Sequence, residues 1–155
     1  MKTLAAFLLI LCGTAAGALE SMRLRLRVRE LTVFCDAVHL LHSCAAYTAG
    51  DLRSLIAMGQ SNLFLQKIDR EKDPVSGWND MAANFFSHKA DVLFAVELID
   101  GFGKTDLDGL LGYLALFARR AEAVLKTAEQ DAAAKCRLFS VLGFFTGVSA
   151  ALLLL

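Results

Sequence analysis

The chain has 155 residues, and its 16 lysines and arginines balance 16 acidic residues to a formal net charge of zero. That balance argues against nucleic acid as a bulk electrostatic partner. Apolar residues make up 56% of the sequence and mean hydropathy is +0.51, high for a soluble domain and in keeping with membrane segments.

Residues 3–19 are apolar and uncharged, and Arg23, Arg25, Arg27 and Arg29 follow at once. A helix needs about 20 mostly apolar residues to cross a bilayer core, with ~17 tolerated, so this stretch sits near the lower limit. A rival reading is a secretory signal peptide, with Lys2, an apolar run and the small residues Ala15, Ala16 and Ala18. The protein would then be exported, with a cleaved signal and a C-terminal membrane anchor. The four arginines resist translocation and favour an uncleaved anchor. Leu11 stands before Cys12, where a lipoprotein signal needs a small residue.

From residue 30 to 47 the apolar side chains recur three and four apart, which predicts an amphipathic helix continuing from the first apolar stretch. The alternation at 23–29 resembles a strand, but arginines flanking a membrane helix explain the same letters. Thr48-Ala-Gly50 breaks the pattern, Asp51 leads a short helix, and Gly59 is its stop. Residues 62–68 form a third short apolar segment. Residues 69–74 (D-R-E-K-D-P) are the clear polar loop. Ser76 is the expected N-cap of a helix carrying Trp78, Met81, Ala82, Phe85 and Phe86. Another helix runs from Ala90 to about Asp100, ended by Gly101 and Gly103. Asp106 opens the last and longest helix. It leads into residues 138–155, a second uncharged apolar stretch preceded by Lys135 and Arg137.

Lys and Arg concentrate on the cytoplasmic side of membrane helices. Applied at both ends, that rule predicts transmembrane anchors at 1–20 and 138–155 and a cytoplasmic domain over 21–137. The expected fold is all-α: a cytoplasmic antiparallel helical bundle flanked by N- and C-terminal transmembrane helices. The middle is about 110 residues, enough for one modest core. A single proline amid much Ala and Leu supports helix throughout.

Few motifs point to chemistry. Gly101 to Thr105 reads G-F-G-K-T, the end of a phosphate-binding loop, but Leu98 stands where the first glycine belongs and the preceding pattern is helical. A glycine helix stop and a Thr or Asp cap explain it better. Cys35 and His39 share a helix face, with His42 nearby, but no second ligand cluster exists. The four cysteines, Cys12, Cys35, Cys44 and Cys136, match no zinc spacing and read as small apolar residues. Asp106 and Asp108 point to different helix faces. No nucleophile–base set emerges, so the chain is expected to be non-enzymatic, without cofactor, metal or small-molecule substrate. Gly13 with Gly17, and Gly143 with Gly147, each form G-x-x-x-G, the spacing that lets helix backbones approach in lipid, against each other or a partner. The 69–74 loop and the cations Arg119, Arg120 and Lys126 are candidate contacts, although solvated charge explains both.

Residues 102–109, F-G-K-T-D-L-D-G, resemble the L-G-x-[ST]-D-x-x-x-Q stretch of stage III sporulation protein AB. Residues 135–147, K-C-R-L-F-S-V-L-G-F-F-T-G, resemble that family's closing K-x-Y-R-x-L-G-x-x-x-G and its apolar tail. Trp78 sits where the family often has Trp before a helix, and length and two-anchor layout agree. The chain departs from the pattern at Phe102, Leu110 and Phe139, and His42-Ser-Cys44-Ala-Ala46-Tyr47 replaces an acidic stretch. Carried over residue by residue are Trp78, Gly103, Asp106, Gly143 and Gly147. The resemblance implies a divergent member, similar to the cytoplasmic domain of the type II secretion platform protein F. It implies a mother-cell membrane location around the forespore. It also implies a part in the channel complex between the two cells, with a secretion-ATPase-like sporulation protein and other channel subunits as partners.

Overall fold

The computed structural model describes residues 2–48, 51–69, 71–102 and 107–154. Its elements are helical: α1 (Lys2–Tyr47), α2 (Leu52–Met58), α3 (Leu63–Gln66), α4 (Pro74–Phe85), α5 (Lys89–Asp100) and α6 (Leu107–Leu154). The all-α expectation holds, and the 23–29 alternation is helix within α1.

Local chemistry sets the short helices. Asp51 caps α2, its carboxylate accepting from Ser54 N at 3.1 Å and Ser54 Oγ at 2.7 Å. Asn62 caps α3 by accepting from Phe64 N at 2.8 Å, while its amide donates to the Val33 carbonyl of α1 at 2.9 Å. The cap of α4 is Asp73, not Ser76. Pro74 occupies the first helical position, where its missing N–H is no loss, and Asp73 accepts from Ser76 N at 3.3 Å. Gly59 does end α2, with negative φ. A Cβ there would collide with Leu65, so packing rather than backbone conformation asks for glycine.

The chain divides into two compact units: one is Met1–Val28 with Thr127–Leu155, the other Arg29–Lys126. The second unit holds the larger core. α1 contributes Phe34, Ala37, Val38, Leu41 and Ala45, all essentially inaccessible, at helical spacing. Leu55, Phe64, Leu65, Trp78, Ala82, Ala95, Leu98, Leu114 and Phe117 close around them. Phe34 meets Phe64, Trp78, Phe86 and Phe94 edge-on, with ring centroids 5.4–6.3 Å apart. The quadrupoles of the rings favour that geometry.

No helix among the described residues is long and apolar enough to cross a membrane, so the two flanking transmembrane helices are not shown. α1 and α6 have 46 and 48 residues, but each is apolar over one end only. The side chains of 1–7, 9–10, 107, 140, 151 and 153–155 lie outside the described ones.

Candidate functional site

In the first unit the early part of α1 and the late part of α6 run antiparallel, with glycines at the seam. A Cβ on Gly13 would lie 2.6 Å from the Gly143 carbonyl oxygen and 3.0 Å from Gly147 Cα. One on Gly17 would lie 2.5 Å from the Phe139 carbonyl oxygen, and one on Gly143 2.6 Å from that of Gly13. Real Cβ atoms do not approach that closely, so only glycine permits this backbone separation. The two G-x-x-x-G motifs thus face each other.

One turn further along the seam, Ser21 is buried. Its hydroxyl lies 3.0 Å from the Gly17 carbonyl and 3.3 Å from that of Cys136, and the Cys136 thiol donates to the Ser21 carbonyl at 3.5 Å. On α1 the seam is therefore glycine, glycine, serine at four-residue intervals, positions 13, 17 and 21 of the sequence; the G-x-x-x-G spacing alone does not include Ser21. Large apolar side chains point away from the seam: Leu8, Leu11, Leu19, Met22 and Leu26 on α1, and Leu138, Val141, Leu142, Phe144, Phe145 and Leu152 on α6, are all exposed.

The second unit spends its polar groups on its own architecture. Trp78 is fully buried and its indole donates to the Ala95 carbonyl at 2.9 Å, fastening α4 to α5. Glu30 is 7% exposed; its carboxylate accepts from Ser87 N at 3.0 Å and Ser87 Oγ at 2.7 Å, tying α1 to the α4–α5 junction. Tyr113 of α6 donates to the Glu97 and Leu98 carbonyls at 2.8 and 3.3 Å, serving bare carbonyls at the end of α5. Arg120 grips Glu97 with both nitrogens, at 2.6 and 3.1 Å, and its guanidinium lies 5.6 and 5.5 Å from the ring centroids of Phe94 and Phe117. That hydrogen-bonded guanidinium holds the Glu97 carboxyl below the usual range.

Gly101 of G-F-G-K-T packs beneath the Tyr113 ring, leaving no room for a Cβ; Gly103 and Asp106 lie outside the described residues. Asp108 is exposed in the first turn of α6. Cys35 is buried, and that burial pushes its thiol up, with Glu122 and Asp36 adding to the shift. His39 Nε2 lies 2.9 Å from Glu122. No group of three or more metal-ligating side chains occurs among the described residues. No disulfide joins the cysteines among the described residues: Cys35 is buried, Cys44 and Cys136 half-buried, and Cys12 exposed. In the polar loop, Lys72 pairs with Asp80 at 2.6 Å. Glu30, Tyr113 and the Glu97–Arg120 pair carried no local signal, because each partner lies at least fifteen residues away.

No curated protein and no solved structure gives a significant match to this chain. The model of one family, Stage III sporulation protein AB, matches residues 2–155. The chain therefore belongs to the stage III sporulation protein AB family and shares that family's role in the third stage of sporulation.

Proposed function

We propose that this chain is a non-enzymatic membrane platform subunit of the channel complex between mother cell and forespore, similar to type II secretion platform proteins. Residues 1–20 and 138–155 are its transmembrane anchors, and 21–137 face the mother-cell cytoplasm. A secretion-ATPase-like sporulation protein and other channel subunits are its partners, and it takes no small-molecule substrate.

The observation that carries this reading is the glycine-seamed helix pair. Its exposed apolar side chains have no suitable solvent but lipid or another apolar helix. A stretch of about 17 residues rises roughly 26 Å, slightly less than the ~30 Å hydrocarbon core, and local thinning or oligomerisation meets such a mismatch. The arginines after residue 20 and the Lys135–Arg137 pair set orientation. Signal cleavage after Ala18 would remove Gly13 and Gly17 and leave Gly143 and Gly147 without a facing backbone, which speaks against the exported alternative. In the second unit, Trp78, Glu30, Tyr113 and Arg120 are engaged in packing and tethering, which suits a scaffold.

The test is sidedness. With the native cysteines replaced and Ser76→Cys introduced at an exposed position of α4, a membrane-impermeant thiol reagent is applied to intact cells. Protection that ends on lysis is the expected result. Labelling of intact cells would place the domain outside the cytoplasm and remove the ATPase partner with it.

A further inference from the structure

We infer that the first unit carries a binding site for the phosphate of an anionic phospholipid, in the open groove lined by Arg25, Ala132, Ala133, Cys136, Arg137 and Val141. This rests on the membrane reading above. The groove has a volume of about 510 Å³, within the ~300–1,000 Å³ usual for small-molecule sites.

Two observations single it out from the general basic collar. Neighbouring cations are internally paired: Arg23 with Glu20 at 3.1 Å, and Lys135 with Asp131 at 3.1 Å. Arg25 and Arg137, which line the groove, are exposed and have no such acidic partner among the described residues. Two guanidiniums left free on one groove present planar donor forks suited to phosphate oxygens. The rest of the lining is small or apolar, and the next turn of α6 after Val141 carries the exposed Leu142 and Phe145. A free phosphate has no use for that apolar continuation, whereas an acyl chain does. Arg25 and Arg137 also lie where the apolar stretches end, the level of the headgroups, and basic pockets between membrane helices on the cytoplasmic side take anionic headgroups.

The experiment uses the full chain in detergent with phosphatidylglycerol added, and native mass spectrometry to count retained lipid. R25Q/R137Q is compared with R23Q/K135Q, which removes the same charge outside the groove. Expected is selective lipid retention by wild type and R23Q/K135Q, a fall of roughly tenfold or more in R25Q/R137Q, and partial recovery in R25K/R137K. Equal loss in both glutamine variants, unchanged retention in R25Q/R137Q, equal retention of phosphatidylcholine, or displacement by inorganic phosphate would each overturn the site. Flotation of wild type with phosphatidylcholine vesicles separates the two levels. A chain that floats but retains no anionic lipid loses this site alone; one that does not float loses the membrane reading and the site together.

Discussion

Trp78 touches more of the second unit than any single polar contact could. It packs edge-on against both Phe34 and Phe64 and carries the bond to Ala95. Trp78→Ala is expected to lower unfolding free energy by about 3–5 kcal/mol, and Trp78→Phe, which keeps a ring but loses the donor, by about 1 kcal/mol for the hydrogen bond. Urea unfolding of both variants checks this; equal losses would mean the indole N–H carries the site. The Glu97–Arg120 pair is half-exposed, so Glu97→Gln should cost under about 1 kcal/mol at neutral pH. Because the folded-state pKa of Glu97 is lowered, this contribution is present above the ordinary carboxylate pKa and lost as pH falls through the folded value. The gap between wild type and Glu97→Gln should therefore close in acid; a gap that persists there would assign the effect to shape rather than charge. Neither the Ala95 acceptor nor the Arg120 partner could be read from nearby letters, since both depend on helices meeting in space.

Periodicity and punctuation in the sequence place the helices, and those signals are local. Asp51 and Gly59 act where the letters put them, while the capping by Asn62 of the third segment is added by the structure. α4 starts at Asp73 rather than Ser76 because Pro74 suits the first helical position and the Asp73 carboxylate accepts from both Ser76 N and Ser76 Oγ. Asp73→Ala should cost about 1 kcal/mol, seen as a lowered thermal midpoint. In the first unit the spacing of Gly13, Gly17, Gly143 and Gly147 was readable, but its partner was not: a glycine face packs equally well on another chain. Ser21→Cys should form a disulfide with Cys136 on mild oxidation, since the two residues exchange hydrogen bonds. Adding Gly143→Leu should abolish that cross-link by forcing the backbones apart. Cross-linking that survives would mean that the seam is not closed by glycine contact.

At the scale of the molecule, the second unit has its own buried core and its own ties between helices. Residues 29–126 expressed alone are expected to unfold cooperatively with native helical content, followed by circular dichroism; a gradual, uncooperative loss would show that the first unit completes that core. Family, all-helical class and the positions of the apolar ends follow from composition, period and motif, because each is a property of neighbouring residues. The match over residues 2–155 rests on the same information. Which helix faces meet did not follow. Glu30 reaching Ser87 across 57 positions, Tyr113 closing the end of α5, and Gly13 resting on Gly143 are contacts between residues distant in the chain. No local signal encodes them; they exist only once apolar burial and close backbone packing have brought the helices together.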